Sequence, residues 1–117
     1  MAEVSGQPLG PNESRGLHWA RVARDRAVFR DAFALLLKAQ HSGPPFARAQ
    51  VEVVLVRRAG QQPRDPDNMV SAAKGPVDGV VAAGVLVDDS AQHIDLVVRQ
   101  EEGPQRAVRL VVAEIVL

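Results

Sequence analysis

Valine-rich runs of strand character alternate with stretches of helical period along this chain, and that alternation constrains its fold more than any other feature. In residues 17–39, Trp19, Val22, Phe29, Phe33, Leu36 and Leu37 recur at three- and four-residue spacings, which predicts one amphipathic helix. Arg21, Arg24 and Asp25 fall off that stripe, toward solvent or a partner. His41, Ser42, Gly43, Pro44 and Pro45 end the helix in a loop. Residues 49–57 carry Val51, Val53, Val54 and Val56, whose β-branched side chains suit a strand. Residues 58–66 are loop, with Gly60, Pro63 and Pro66. Residues 68–83 predict a second helix in two pieces, because Pro76 cannot continue the hydrogen-bond ladder. Gly84 stands where a helix C-terminal glycine is expected. Residues 85–87 are a short apolar stub, and residues 93–99 and 106–117 predict two strands around a turn at 101–104. Residues 1–16, rich in Gly, Pro, Asn and Ser, read as a flexible lead-in. The expected order is α-β-α-β-β, with no repeat and no internal boundary in 117 residues. It implies one domain over residues 17–117, an α+β fold with a small mixed sheet carrying two helices on one face.

Composition narrows the function classes. Nearly half the residues are hydrophobic and aromatics are limited to Trp19, Phe29, Phe33 and Phe46, a globular balance rather than a disordered one. The absence of cysteine excludes disulfides and thiolate metal sites. No apolar run approaches the ~20 residues that a bilayer requires. Residues 1–10 lack a basic start followed by an apolar stretch, so no signal peptide is expected and a cytoplasmic protein is. The formal net charge is zero, but it is unevenly spread. Residues 1–64 hold ten Lys/Arg against five Asp/Glu, a balance of +5. Residues 65–117 hold four against nine, a balance of −5. Two readings fit this asymmetry: a phosphate-facing surface beside a cation-binding pocket, or a mixed solvated surface.

Two acidic groups are the candidates for chemistry. Asp65, Pro66, Asp67 and Asn68 lie at the entrance to the second helix, and Asp88 and Asp89 follow the apolar stub some twenty residues later. Carboxylates on loops at the ends of elements can converge, and oxygen-only clusters suit Mg²⁺ or Mn²⁺. Such a cation polarises a phosphodiester and activates water against it. Lys74, between the two groups, is placed to offset charge that builds on phosphate in a transition state. Plainer uses of the same residues compete: Asp67 or Asn68 as a helix cap, and Asp88, Asp89 and Ser90 as a turn. An EF-hand loop is excluded, since Met69 and Val70 occupy its fifth and sixth positions. A phosphatase-type Asp-x-Asp is excluded as well, because Gly60 to Arg64 is not an apolar strand.

The run from Arg64 to Gln92 resembles the RusA-like family of Holliday junction resolvases, and in its longer spacing the phage-borne members. The matching elements are Arg64, Asp65, Asp67 and Asn68 before a helix bearing Lys74 and Asp78, then Ala83, Gly84 and the hydrophobic stub leading to Asp88 and Asp89. Leu17, His18, Trp19, Ala20 and Arg21, followed by a basic helix, add to the resemblance, which covers most of residues 17–95. It implies a homodimeric endonuclease that cuts branched DNA with Mg²⁺ or Mn²⁺. It assigns Asp65, Asp67 and Asp89 to metal and catalysis, Asp88 to the metal as the first of the acidic pair, Lys74 to catalysis, and Asn68 to support of the site. Arg21, Arg24, Arg57, Arg58 and Arg64 are the candidate phosphate contacts, since Arg forks match phosphate oxygens. His18 is a supporting residue at the helix start, and His93 is either a partner of the acidic pair or a plain strand-start histidine. Asp78, four residues after Lys74, is placed to pair with it on one helical face.

This sequence departs from the family's founding members in four ways. Lys74 comes six residues after Asn68 with Gly75 and Pro76 behind it, the spacing from Asn68 to Asp88 is slightly longer, no first strand is recognisable in residues 1–16, and the net charge is balanced. Two alternatives therefore stay open beside the nuclease: a branched-DNA-binding protein that does not cut, and an interaction protein on the same scaffold that does not bind nucleic acid.

Overall fold

The computed structural model of the chain describes residues 1–9, 16 and 18–116. Its elements in chain order are β1 (Ala2–Ser5), α1 (Trp19–Gln40), β2 (Ala49–Arg58), α2 (Pro66–Ala82), β3 (Ile94–Gly103) and β4 (Ala107–Glu114). The four strands form one mixed sheet in the order β1-β4-β2-β3, with β2 parallel to β3 and antiparallel to β4. Parallel neighbours require a crossover, and α2 supplies it between β2 and β3. The fold is thus α+β with a four-stranded mixed sheet and two helices, as expected.

Strand alternation explains where the core lies. Ala49, Val51, Val53 and Leu55 of β2, Val108 and Leu110 of β4, and Ala2 of β1 point to the helical side and join Phe29, Phe33 and Leu37 of α1 and Val77 and Val80 of α2 in one cluster. The opposite face is closed differently. Val54, Val56 and Ala107 are buried there, although no helix among the described residues covers them. Register places Arg99 and Arg109 on either side of Val54. Both guanidiniums converge on Glu101, at 2.8 and 2.7 Å, so an ion-pair lattice lies over the apolar strip.

Four expectations need correction. Ala2–Ser5 is a strand, not flexible lead-in: Ala2 and Val4 alternate onto the core against Leu110 and Val108. Residues 10–15 and Leu17, the expected start of the first helix, lie outside the described residues. The second helix is one piece despite Pro76. The residue before a proline is normally pushed out of the helical region by its own Cβ, and here that residue is Gly75, which has none. Residues 93–99 and 106–117 are not partners around a turn. β3 extends to Gly103, and the chain steps across the end of β2 so that β3 and β4 flank it. Gly103 permits that step, because a Cβ there would lie 2.6 Å from Val56 Cγ1. Finally, the buried stripe of α1 is Phe29, Phe33 and Leu37; Trp19, at the first helical position, is 76% exposed, and Leu36 lies toward solvent.

The two helices touch through α2 glycines. A Cβ on Gly75 would sit 2.8 Å from the Arg26 carbonyl oxygen, and one on Gly79 would sit 2.7 Å from the Arg30 carbonyl oxygen and 2.9 Å from Phe33 Cβ. Contacts that advance together along both chains mean that α1 and α2 run side by side in the same direction. The stub at 85–87 then returns beside the chain before β2, through a parallel bridge between Leu86 and Phe46.

Gly79→Ala tests this seam. Overpacking costs about 1–3 kcal/mol, against a gain in helix propensity of up to about 1 kcal/mol. A net loss of about 1 kcal/mol lowers the melting temperature by roughly 4 °C. An unchanged or raised melting temperature would show that the helices are not in backbone contact at this position.

Candidate active site

α2 begins at Pro66, whose fixed φ suits the first helical position, and Asp65 is its N-cap residue. Asp65 makes no side-chain capping hydrogen bond, and both Asp65 and Asp67 are exposed. The capping use of these carboxylates is therefore not what fixes Asp65. Asn68 is buried, and its Oδ1 accepts from Arg64 Nη1 at 2.5 Å. Arg64 also donates through Nη2 to the Pro8 carbonyl at 2.6 Å and through Nε to Gln7 Oε1 at 3.1 Å. Its backbone exchanges two hydrogen bonds with the Gln100 side chain. Arg64, expected as a phosphate contact, ties the segment after β1 to the entrance of α2 and to β3.

Six residues after Asn68, Lys74 faces outward from α2. Its Nζ donates to Asp89 Oδ2 at 2.8 Å and lies 3.4 Å from Asp78 Oδ1, one helical turn ahead. The expected Lys74–Asp78 pairing is present, and the loop after the stub has been brought onto the middle of α2. Asp78 is held in turn by α1: Arg26 Nε and Nη2 both donate to its Oδ2, at 2.9 and 2.6 Å. Arg26 was not singled out in the sequence. It lies 52 residues from Asp78, and no local pattern links the two. Asp88 stands exposed beside Asp89. A cavity of about 320 Å³ opens against this cluster, walled by Lys74, Ser71 and Val70 of α2 and by Val22, Asp25 and Arg26 of α1.

The electrostatics follow from the contacts. The hydrogen bond to Asp89 raises the Lys74 ammonium above its ordinary range, against a smaller opposing effect of burial, and Asp78 adds to the rise. The same hydrogen bond, seen from the other side, holds the Asp89 carboxyl below the usual carboxylate range.

Donor chemistry fits a hard cation in kind: Asp65, Asp67, Asp88 and Asp89 offer oxygen alone, and Asp89 already accepts a positive group. Position is only partly met. Among the described residues no three Asp, Glu or His side chains are grouped as a metal site. Asp67 and Lys74 are separated by about 10 Å of helical rise, and the side chain that Asp89 contacts is Lys74.

The remaining candidates fall into two sets. Arg21 and Arg24 are exposed on the first turns of α1, and Arg58 is exposed at the end of β2. Arg57 is mostly covered, lies 3.8 Å from Glu102, and has a buried Nε with no partner. His18 is the N-cap of α1: its Nδ1 accepts from the Ala20 N–H at 3.2 Å, and its ring stacks on Trp19. His93 Nδ1 meets the Ala47 carbonyl at 2.8 Å, so the histidine ties the start of β3 to the segment before β2 and makes no contact with the acidic pair. No helix among the described residues is long and apolar enough to cross a membrane. No family model, no curated protein and no solved structure matches the chain.

Two measurements check this geometry. Arg64→Ala leaves buried Asn68 without its donor and frees the segment after β1. Hydrogen bonds to charged groups contribute about 1.5–3 kcal/mol, so a loss of about 2 kcal/mol in chemical denaturation is expected, and a loss within error would refute the anchor. The Lys74–Asp89 pair is half exposed, which limits it to under about 1 kcal/mol. Its stabilisation is present between the unfolded values of Asp, about 3.9, and Lys, about 10.4. It fades as pH falls through the lowered Asp89 value or rises through the raised Lys74 value. The stability difference between wild type and Lys74→Met, measured across pH, is therefore a small plateau; a difference that grows toward either extreme contradicts the pairing.

Proposed function

We propose that the chain is a metal-dependent endonuclease of the RusA-like type, hydrolysing phosphodiesters in Holliday junctions or related branched DNA in the cytoplasm. The observation that carries this reading is the 2.8 Å contact between Lys74 and Asp89. It joins the helix that starts with Asp65 and Asp67 to the loop bearing Asp88 and Asp89, the two elements that a phosphodiesterase of this kind needs together. Asp65, Asp67 and Asp89, with Asp88 beside them, are the residues that would hold a divalent cation, which would supply Lewis-acid activation of the phosphodiester and of water.

This chain's own residues supply the rest. Lys74 steadies the charge that accumulates on the non-bridging oxygens. Asn68, fixed by Arg64, holds the first turn of α2 so that Asp65 and Asp67 keep their exposure. Arg21, Arg24 and Arg58 are exposed cations available to the backbone of the substrate. In the hydrolysis, a water oxygen bonds to phosphorus and one bridging P–O bond breaks. One strand end is left with a phosphate monoester and the other with a hydroxyl, which takes the proton. Opposed cuts in a four-way junction call for two such sites, hence a homodimer.

The test is a synthetic four-way junction incubated with purified protein and Mg²⁺ or Mn²⁺. Wild type is expected to cut, and Asp67→Asn and Asp89→Asn to lose cutting by more than about a hundredfold, in line with removal of a principal electrostatic group. Equal cleavage by wild type and Asp67→Asn defeats the assignment. Salt-sensitive junction binding without metal-dependent products selects the non-cutting DNA-binding protein, and absence of binding selects the interaction protein.

A further inference from the structure

We propose that Arg26 and Asp78 are positioning residues that fix the Lys74 ammonium at the candidate site, an inference that rests on the nuclease reading above. The four charges form a continuous chain across three segments: Arg26 on α1, Asp78 and Lys74 on α2, and Asp89 on the loop after the stub. The links measure 2.9 and 2.6 Å from Arg26 to Asp78, 3.4 Å from Asp78 to Lys74, and 2.8 Å from Lys74 to Asp89.

The chain of contacts has a direction. Arg26 has its guanidinium fork on one carboxylate oxygen of Asp78, Oδ2, which leaves Oδ1 turned toward Lys74. A planar fork restricts the carboxylate it grips far more than a flexible ammonium does. Asp78 is thus oriented from α1, and Lys74 is oriented by Asp78. The seam makes this reach feasible: Gly75 lets the Arg26 backbone and side chain lie against α2, with the would-be Cβ only 3.4 Å from Arg26 Cγ. A side chain at position 75 would push Arg26 away from Asp78.

Two carboxylates around one ammonium also divide the work. Asp89 is among the assigned cation ligands, and a divalent ion held there would compete with Lys74 for the carboxylate and repel its ammonium as a like charge. Asp78 is the acid that remains. It keeps the ammonium beside the reacting phosphate instead of letting a four-carbon chain swing into solvent. Without Asp78, Lys74 is still present but no longer placed, and an unplaced group contributes little to transition-state stabilisation.

The test has one readout independent of activity. Lys74 and Lys38 are the only two lysines in the chain. Competitive amine acylation of the folded protein, read by mass spectrometry as the Lys74 to Lys38 ratio, reports how firmly the Lys74 ammonium is held. In Asp78→Asn and in Arg26→Ala the ratio is expected to rise several-fold over wild type. Junction cleavage by the same variants is expected to lose about tenfold in kcat, the scale seen for groups that orient a reacting residue, while KM for the junction stays within about twofold. Arg26→Lys, which retains charge but not the fork, is expected to recover only part of the kcat. A labelling ratio unchanged in Asp78→Asn overturns the proposal, as does a kcat equal to that of wild type. A protein that labels as predicted but cleaves no junction even as wild type rejects the nuclease reading and leaves the positioning of Lys74 by Arg26 and Asp78 standing.

Discussion

Backbone contact between the two helices is the constraint from which the rest of the structure follows. Gly75 and Gly79 place α2 directly against the carbonyls of Arg26 and Arg30, where any Cβ would lie within 2.8 Å of an oxygen. Each glycine inside a helix is unfavourable by roughly 0.5–1 kcal/mol relative to alanine. That cost is offset by what the approach allows. Phe29 and Phe33 sink into the common core with Val77 and Val80, and the helix can accept Pro76 with a glycine in front of it. The same approach carries Arg26 to Asp78. Core packing and the arrangement of the charged cluster are therefore a single geometric fact viewed from two sides of one seam.

β2 has the corresponding role within the sheet. It is paired on both edges, parallel to β3 and antiparallel to β4, and its residues from Val53 to Val56 are buried on both faces. Helices bury one face. On the other, the side chains of Arg99, Glu101 and Arg109 lie across Val54 and Val56, and Glu101, bonded first by Arg99 and then by Arg109, is held below the usual carboxylate range. Exposed ion pairs contribute little individually. Their aliphatic stems are what exclude water from the valines, as long charged side chains do when they lie along an apolar surface.

Local pattern made much of this legible. The first helix, the strand at 49–58 and the position of Lys74 relative to Asp78 follow from spacings of two, three and four residues, which the backbone geometry fixes directly. What could not be read depends on partners distant in sequence. Ala2–Ser5 is too short and too polar to stand out, and becomes a strand only because β4 offers it Leu110 and Val108. β3 and β4 look like a hairpin because they are neighbours in the chain, yet β2 separates them. Arg64 has the composition of a phosphate contact, and its role as an anchor depends on Gln7 and Pro8, which lie 57 and 56 residues away. Arg26 was invisible for the same reason. The acidic motifs could be recognised as types of residue, but the distance between the first turn of α2 and Asp89 is a property of the folded chain alone.

The charge asymmetry of the sequence acquires a definite meaning in this light. Its basic half and acidic half do not form two separate surfaces, because many of their members meet: Arg26 with Asp78, Arg48 with Asp95, and Arg57 with Glu102 each join a base from before residue 65 to an acid from after it. Arg99 with Glu52 makes the reverse connection. Each of these pairs is neutral in place, and they account for part of the balance of 14 bases against 14 acids. The charges that matter to a partner are those left over. Among the described residues these include Arg21, Arg24, Lys38 and Arg58, exposed on one account, and Glu3, Asp65, Asp67, Asp88 and Glu114 on the other. A polyanion is attracted by the first set through long-range field and repelled by the second at short range. The two can serve one ligand only if something positive stands among the acids at contact. Lys74 already does so at Asp89, which is why its placement, more than the overall charge, decides whether a phosphate can be received there.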